Sequence, residues 1–224
     1  MKNYEIYKEI KTPLTTPIII RLDGRYFSNI TKKIGLKKPF DERLADIFIK
    51  TTQDLIKEFP SEFIYTFSDE INILLTQIPF NGRIEKLNSI FASYTTGSFI
   101  KHLYEYIQDI PIISFDSRII PINNDIVKYF QWRQKEAWRN CINGYAQYIL
   151  QQKYNKKETI TKLYKLKEPQ LHDLLYENNI SIKEIPSWQK RGIATYKEKI
   201  NSIGKNPKTN EKNITEKKKI YTNE

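Results

Sequence analysis

Two short acidic turns are where this chain has the residue types and spacing for chemistry. The first is Arg21-Leu22-Asp23-Gly24-Arg25, directly after the apolar run Pro17-Ile18-Ile19-Ile20. The second is Phe67-Ser68-Asp69-Glu70, set between Phe63-Ile64-Tyr65-Thr66 and Ile71-Asn72-Ile73-Leu74-Leu75. Carboxylates at the ends of buried strands are costly unless a cation sits beside them. Each turn alone reads as an ordinary strand-end or hairpin turn. Together, at neighbouring strand ends, they would repel unless a metal neutralised them. Paired carboxylates around a divalent ion suit transfer of a phosphoryl or nucleotidyl group. Gly24 lets the backbone turn sharply after Asp23, and the amides from Gly24 to Ser28 form a candidate phosphate nest.

The elements that must position these turns follow from periodicity. Pro17 to Leu22 reads as a buried strand. Asp41 is a candidate N-cap, followed by apolar residues at helical spacing (Leu44, Ile47, Phe48, Leu55, Ile56) as far as Phe59. Glu62–Thr66 and Ile71–Gln77 make a hairpin around the Ser-Asp-Glu turn. A second amphipathic helix is predicted from about Arg83 to Tyr104, then a strand from Ser114 to Ile120. The order strand, helix, strand, strand, helix, strand is the split βαβ pattern. It predicts an α+β fold: a ferredoxin-like, polymerase-palm antiparallel sheet with helices on one face. Its first and third strands are neighbours, so the two acidic turns converge. Topology alone does not give function, and nucleotide cyclases share it.

Beyond the palm, Asp125–Tyr154 reads as one long helix and Glu168–Asn178 as a shorter one. Pro186–Ile200 begins as a turn and ends as a strand, Gly204–Asn213 is a loop or hairpin tip, and 214–224 is a return strand or a tail. This divides the chain into a palm-like catalytic domain, 1–135, and a basic extension, 136–224, made of helices and a β-hairpin and contacting RNA.

Charge supports that division. The chain has 37 basic and 26 acidic residues, a net +11. Residues 1–150 hold 20 basic and 17 acidic side chains; residues 151–224 hold 17 and 9. A basic C-terminal third points to a polyanionic partner, most often nucleic acid, although a lysine-rich composition alone would give the same excess. One cysteine, Cys141, leaves no internal disulfide or cysteine zinc site. Two histidines, His102 and His172, leave little for a histidine metal site, so oxygen-ligand chemistry with Mg²⁺ is favoured. No apolar stretch has transmembrane length, and the first residues lack a signal core. No membrane association and a cytoplasmic location are expected.

Several cations have positions suited to phosphate: Lys38 before the first helix, and Arg83 and Lys86 on one face at the start of the second. Each reads equally well as a solvated basic residue. Tyr129, Trp132, Arg133, Trp138 and Arg139 mix aromatics with arginine on the long helix, a stacking and phosphate pattern. Core packing is the better reading for Tyr129 and Trp132. Trp188-Gln189-Lys190-Arg191-Gly192 is the RNA-contact candidate of the last third.

Taken in order, these segments resemble the tRNA-histidine guanylyltransferase superfamily. The match is carried by Arg21-Leu22-Asp23-Gly24-Arg25 with Phe27, Lys38-Pro39-Phe40-Asp41, Ser68-Asp69-Glu70, and Arg83 and Lys86 ahead of Ser89, Phe91 and Ser93. Phe115-Asp116-Ser117-Arg118, Tyr129–Gln134 and Trp188–Gly192 continue it, over roughly residues 15–200. The resemblance implies nucleotide addition to the 5′ end of tRNA, opposite in direction to ordinary polymerases. It implies two Mg²⁺ ions on Asp23 and Asp69 with the Gly24 carbonyl, and a catalytic carboxylate set of Asp23, Asp69 and Glu70, with Glu70 in a supporting role. ATP, GTP or another nucleoside triphosphate would lie against Asp23, Gly24, Arg25, Tyr26, Phe27, Ser28, Lys38, Ser68 and Asp69. Arg83, Lys86, Arg133, Arg139, Lys190 and Arg191 would meet triphosphate or tRNA, in a homotetramer shared by the tRNA. One departure matters: where the eukaryotic members carry a histidine motif on the long helix, this chain has Trp138-Arg139-Asn140-Cys141. That is similar to the branch of the superfamily that repairs truncated tRNA 5′ ends on a template. Addition of G−1 to histidine tRNA, and a non-catalytic tRNA-binding module, are the alternatives.

Overall fold

The computed structural model describes residues 1–205 and 212–223, with the side chains of residues 2 and 202–216 left aside. Strands β1 (Ile18–Gly24), β2 (Ser61–Phe67), β3 (Glu70–Leu75) and β4 (Phe115–Pro121) form the centre of the molecule. Helices α1 (Phe27–Lys33), α2 (Glu42–Glu58) and α3 (Ile84–Leu103) connect them. The sheet order is β4-β1-β3-β2, continued by β5 (Ile193–Lys205) and β6 (Lys212–Asn223), and every pairing is antiparallel. The expected α+β palm topology is present, with β1 and β3 as neighbours.

Alternation along the strands explains the layering. Ile18, Ile20 and Leu22 of β1, with Ile71, Ile73 and Leu75 of β3, point to one face and are fully buried under α2 and α3. Ile19 and Leu74 point the other way, to α4 (Ile126–Gln151). The sheet is therefore covered on both faces: the expected two helices on one, the long helix on the other. Position 135 falls inside α4. The first half of this helix lies on the sheet, and its second half builds a small core from Cys141, Ile142, Ala146 and Ile149 with Leu171 and Leu175 of α6 (Glu168–Glu177). Helices α5 (Lys156–Lys165) and α7 (Ser187–Arg191), like α1, have no counterpart in the periodicity reading because they are short and mostly polar.

Helix α2 starts where the sequence places it. Asp41 accepts a hydrogen bond from the Arg43 amide at 2.9 Å and another from the Lys37 amide at 2.7 Å. The Arg43 guanidinium also grips this carboxylate, at 3.0 and 2.7 Å, and that bond does most to pull Asp41 down to about 2. A cap of this kind is worth about 1 kcal/mol. Burying Ile47, Phe48, Leu55 and Ile56 yields about 1.5–3 kcal/mol each, so packing holds the helix and the cap sets its first turn.

The turn into β5 depends on Gly192, with φ at +73°. A Cβ there would lie 2.5 Å from the Tyr65 hydroxyl and 2.7 Å from the Thr66 carbonyl oxygen. The close approach lets Tyr65 donate to the Arg191 carbonyl at 2.6 Å, fixing α7 against β2. The hairpin tip expected at 204–213 lies in part outside the described residues; β6 is the return strand. Among the described residues no helix is long and apolar enough to cross a membrane.

Candidate active site

The two acidic turns meet. The Gly24 amide donates to the Asp69 carbonyl at 3.0 Å, and Asp23 stands opposite Glu70 in the β1–β3 register. On its other side Asp23 stands opposite Asp116 of β4. Residues opposite one another in a sheet share a face, and like charges there are unfavourable. Three carboxylates thus form one row, Asp116-Asp23-Glu70. The outer two have guanidinium partners. Arg118 reaches Asp116 at 3.4 Å. Arg133 of α4 makes a two-pronged pair with Glu70, both bonds 2.8 Å, and both side chains are about 90 % buried. The middle acid, Asp23, and its neighbour Asp69 have no ion pair among the described residues.

Asp69 shows the consequence. Burial, and then the Asp23 charge, raise its carboxyl from 3.8 to about 6. Because its proton is held more tightly in the folded than in the unfolded protein, Asp69 favours folding at low pH. That contribution is lost as pH rises from about 4 to about 6. Asp41 behaves oppositely: its contribution is lost below about 4, as pH falls toward 2. Urea denaturation of the metal-free protein should therefore show a loss of stability between about pH 4 and 6. In Asp69→Asn this loss should be absent, and an unchanged profile would refute the assignment.

The donor set fits a hard divalent cation. Asp23, Asp69 and the Gly24 carbonyl supply only oxygen. Among the described residues no cluster of three or more His, Cys, Asp or Glu side chains forms a metal cage. Mg²⁺ is commonly held by one or two carboxylates plus water and substrate phosphates, so two unpaired aspartates suffice.

Beside Asp69 opens a cleft of about 240 Å³. Its rim carries Ser28, Lys37, Lys38, Ser68 and Asp69; its apolar wall includes Phe40, Phe67 and Trp188. The wall is anchored from α4: Phe40 packs on Tyr145 and Trp188, and Tyr145 donates to Gln189 at 2.6 Å. Trp188, expected at an RNA surface, instead lines this cleft.

Other candidates divide. Phe27 is a core ring packed on Phe48, Phe99 and Phe115. A Cβ on Gly24 would sit 2.3 Å from the Phe27 ring, which explains the glycine beside Asp23. The nest narrows, because Gly24 and Arg25 spend their amides on Asp69 and Ser114. Tyr26 takes a left-handed conformation, φ +55°, to begin α1, and Arg25 lies over its ring. Arg83 and Lys86 are exposed at the start of α3 and do not line the cleft. Lys190 donates to the carbonyls of Ile182 and Lys183, an internal cap, and Arg139 pairs with Glu136. Tyr129 is core, as expected. Trp132 is 47 % exposed, under the Arg133 guanidinium, where core packing was expected.

The sequence reading missed Arg21 as a site residue. It stands opposite Arg118 and Asn72, two residues from Asp23 on the same face, and its buried Nε has no partner among the described residues. The period-2 rule applied to Arg21 and Asp23 would have found it.

Comparison with known proteins places this palm sheet, with its carboxylates at the β1 and β3 ends, among the nucleotidyltransferases. A family model for tRNAHis guanylyltransferase (Thg1) matches residues 1–123. The uncharacterized protein R259 of Acanthamoeba polyphaga mimivirus is 31% identical over 234 residues, covering 89% of this chain and 76% of that one. A probable tRNA(His) guanylyltransferase of Dictyostelium discoideum is 27% identical, covering 90% and 85%. A bacterial tRNA(His) guanylyltransferase-like protein solved in complex with ATP superposes with a TM-score of 0.77 at 35% identity, covering 88% and 85%. The chain belongs to the tRNAHis guanylyltransferase family.

Proposed function

We propose that the chain adds nucleotides in the 3′–5′ direction to the 5′ end of tRNA, choosing each by the opposing base. The observation that carries this is the unpaired Asp23–Asp69 couple between the cleft beside Asp69 and the Arg21–Arg118 row. A 5′-monophosphate end is first adenylylated by ATP, with pyrophosphate leaving. The 3′-hydroxyl of an incoming triphosphate then attacks that 5′ phosphorus. Its oxygen forms the new P–O bond, the bond to AMP breaks, and the hydroxyl proton is lost. At an end that is already a triphosphate, pyrophosphate leaves instead.

Two Mg²⁺ ions, when bound by Asp23, Asp69 and the Gly24 carbonyl, supply Lewis acidity to the hydroxyl and the phosphoryl oxygens. Lys38 and the amides of Tyr26, Phe27 and Ser28 orient phosphate at the cleft. Arg21 and Arg118 offset charge on the opposite side. Arg83 and Lys86 remain candidates for a second triphosphate, and Arg191 for tRNA. ATP and GTP fit as substrates: the bacterial relative was solved with ATP, and a second structure of that kind, 31% identical with a TM-score of 0.68, with GTP.

Templated repair is favoured over G−1 addition by the position of the absent histidine. Trp138 donates to Glu168 at 3.1 Å and packs against His172, so this site serves α6 packing. A homotetramer and a cytoplasmic location belong to the same reading. The test is nucleotide addition to a tRNA lacking its first 5′ nucleotide, with each triphosphate separately and the opposing base varied. Incorporation should follow the opposing base. Incorporation of GTP alone, on histidine tRNA alone, would give G−1 addition; no incorporation with tRNA binding intact would leave a binding module.

A further inference from the structure

Among the described residues, a concentration of lysines without ion-pair partners lies away from the carboxylates, on α5 and its flanks, with Lys162 over the Tyr154 ring at 4.2 Å. Residues 152–167 hold six lysines (153, 156, 157, 162, 165 and 167) and one acid, Glu158. All six lysines are exposed, and none makes an ion pair among the described residues. Glu158 is consumed by the capping box with Asn155. Lys156 and Lys157 occupy the first turn of α5, where the helix dipole disfavours positive charge. Tyr164 on the same helix is 92 % exposed, its ring in water, and Ile160 is 55 % exposed. Solvated lysines need no such aromatic neighbour.

We propose that α5 is a docking surface for the body of the RNA, remote from its reacting end. The lysines would meet backbone phosphates as point charges, and the Tyr164 ring would stack on an unpaired base or a ribose. This rests on tRNA being the substrate. The remoteness comes from α4: Arg133 holds Glu70 beside Asp23, and the helix runs on to Gln151 before α5 begins. At 1.5 Å per residue that is about 27 Å along its axis. The first turn of α5, with Lys156 and Lys157, thus begins beyond the far end of α4, and α5 then packs back against that helix; the body of a whole tRNA is what would span this distance.

The test compares the full chain with K156E/K157E/K165E and with Tyr164→Ala. The RNAs are a 5′-truncated tRNA and a short hairpin carrying only its acceptor end. The triple variant should bind tRNA at least about tenfold more weakly near 0.1 M salt. Its log–log salt slope should fall by about two to three, for three lost phosphate contacts. Tyr164→Ala should weaken binding about tenfold. Addition to tRNA should show a raised KM with kcat kept, and addition to the hairpin should be unchanged, which also shows the variants fold. Unchanged tRNA affinity and slope in a chain that still adds nucleotides would overturn this proposal alone. Equal losses on tRNA and hairpin would overturn the remote contact as well. A parent chain that binds no RNA would overturn both this and the reading beneath it.

Discussion

Asp23→Asn and Asp69→Asn are each expected to lower nucleotide addition by at least about 10³-fold while leaving tRNA affinity within about twofold. Charge stabilisation by a bound divalent ion is worth several kcal/mol in the transition state, and each 1.4 kcal/mol is about tenfold in rate. The two aspartates are the ones in the site without a guanidinium: Asp116 has Arg118 and Glu70 has Arg133. Removing either charge takes half of the cation site and leaves the fold's ion pairs untouched. Asn is close in shape, and the Gly24–Asp69 bond runs through the Asp69 backbone, so the turn survives. Asp69→Asn also removes the carboxyl that burial and Asp23 hold at about 6, so the variant should be no less stable at pH 7. Mn²⁺ titration followed by electron paramagnetic resonance gives a readout independent of turnover: binding should weaken in both variants. Near-normal addition by either one, or unaltered Mn²⁺ binding, would end the metal assignment.

Arg133→Met is expected to be the most damaging single change to stability. It strands Glu70, a carboxylate about 90 % buried that otherwise receives both guanidinium bonds and a third from Asn72 at 2.8 Å. Breaking a buried pair by removing one partner costs about 3–5 kcal/mol, which in a chain of this size lowers the melting midpoint by roughly 10 °C. Replacing the pair together, as Glu70→Gln with Arg133→Met, should restore most of that, because no uncompensated charge remains. The Asn72 side chain, which accepts from the Tyr129 hydroxyl at 2.7 Å, keeps its link to α4 in the double variant. The same variant separates two roles for Glu70. If Glu70 only positions α4 against β3, addition should persist once stability returns. If it acts on the reacting groups, addition should stay low in a folded protein. Thermal melts and addition assays on the single and double variants decide it.

The outcome for Glu70 illustrates what a linear reading can and cannot hold. Ser68-Asp69-Glu70 contains two adjacent acids, which alternate faces at a strand start. The row across β4, β1 and β3 puts Glu70 under α4 with Arg133, more than sixty residues away in sequence. Lys190 and Trp188 show the same limit. Both sit in a segment rich in basic and aromatic residues, which reads as an RNA surface. Packing turns Lys190 inward to cap carbonyls and Trp188 into the cleft wall.

By itself the sequence determined the order of the four palm strands and of helices α2, α3 and α4, the cap at Asp41 and the convergence of the Asp23 and Asp69 turns. Those features rest on local rules: alternation, helical spacing, turn residues, and a topology in which the first and third strands must be neighbours. Only the tertiary structure decided which carboxylates were already neutralised, which face of the sheet α4 would cover, and which amides near Asp23 were spent. Those depend on partners brought together across long stretches of chain, where burial and the pairing of opposite charges set the energy and no local pattern records it.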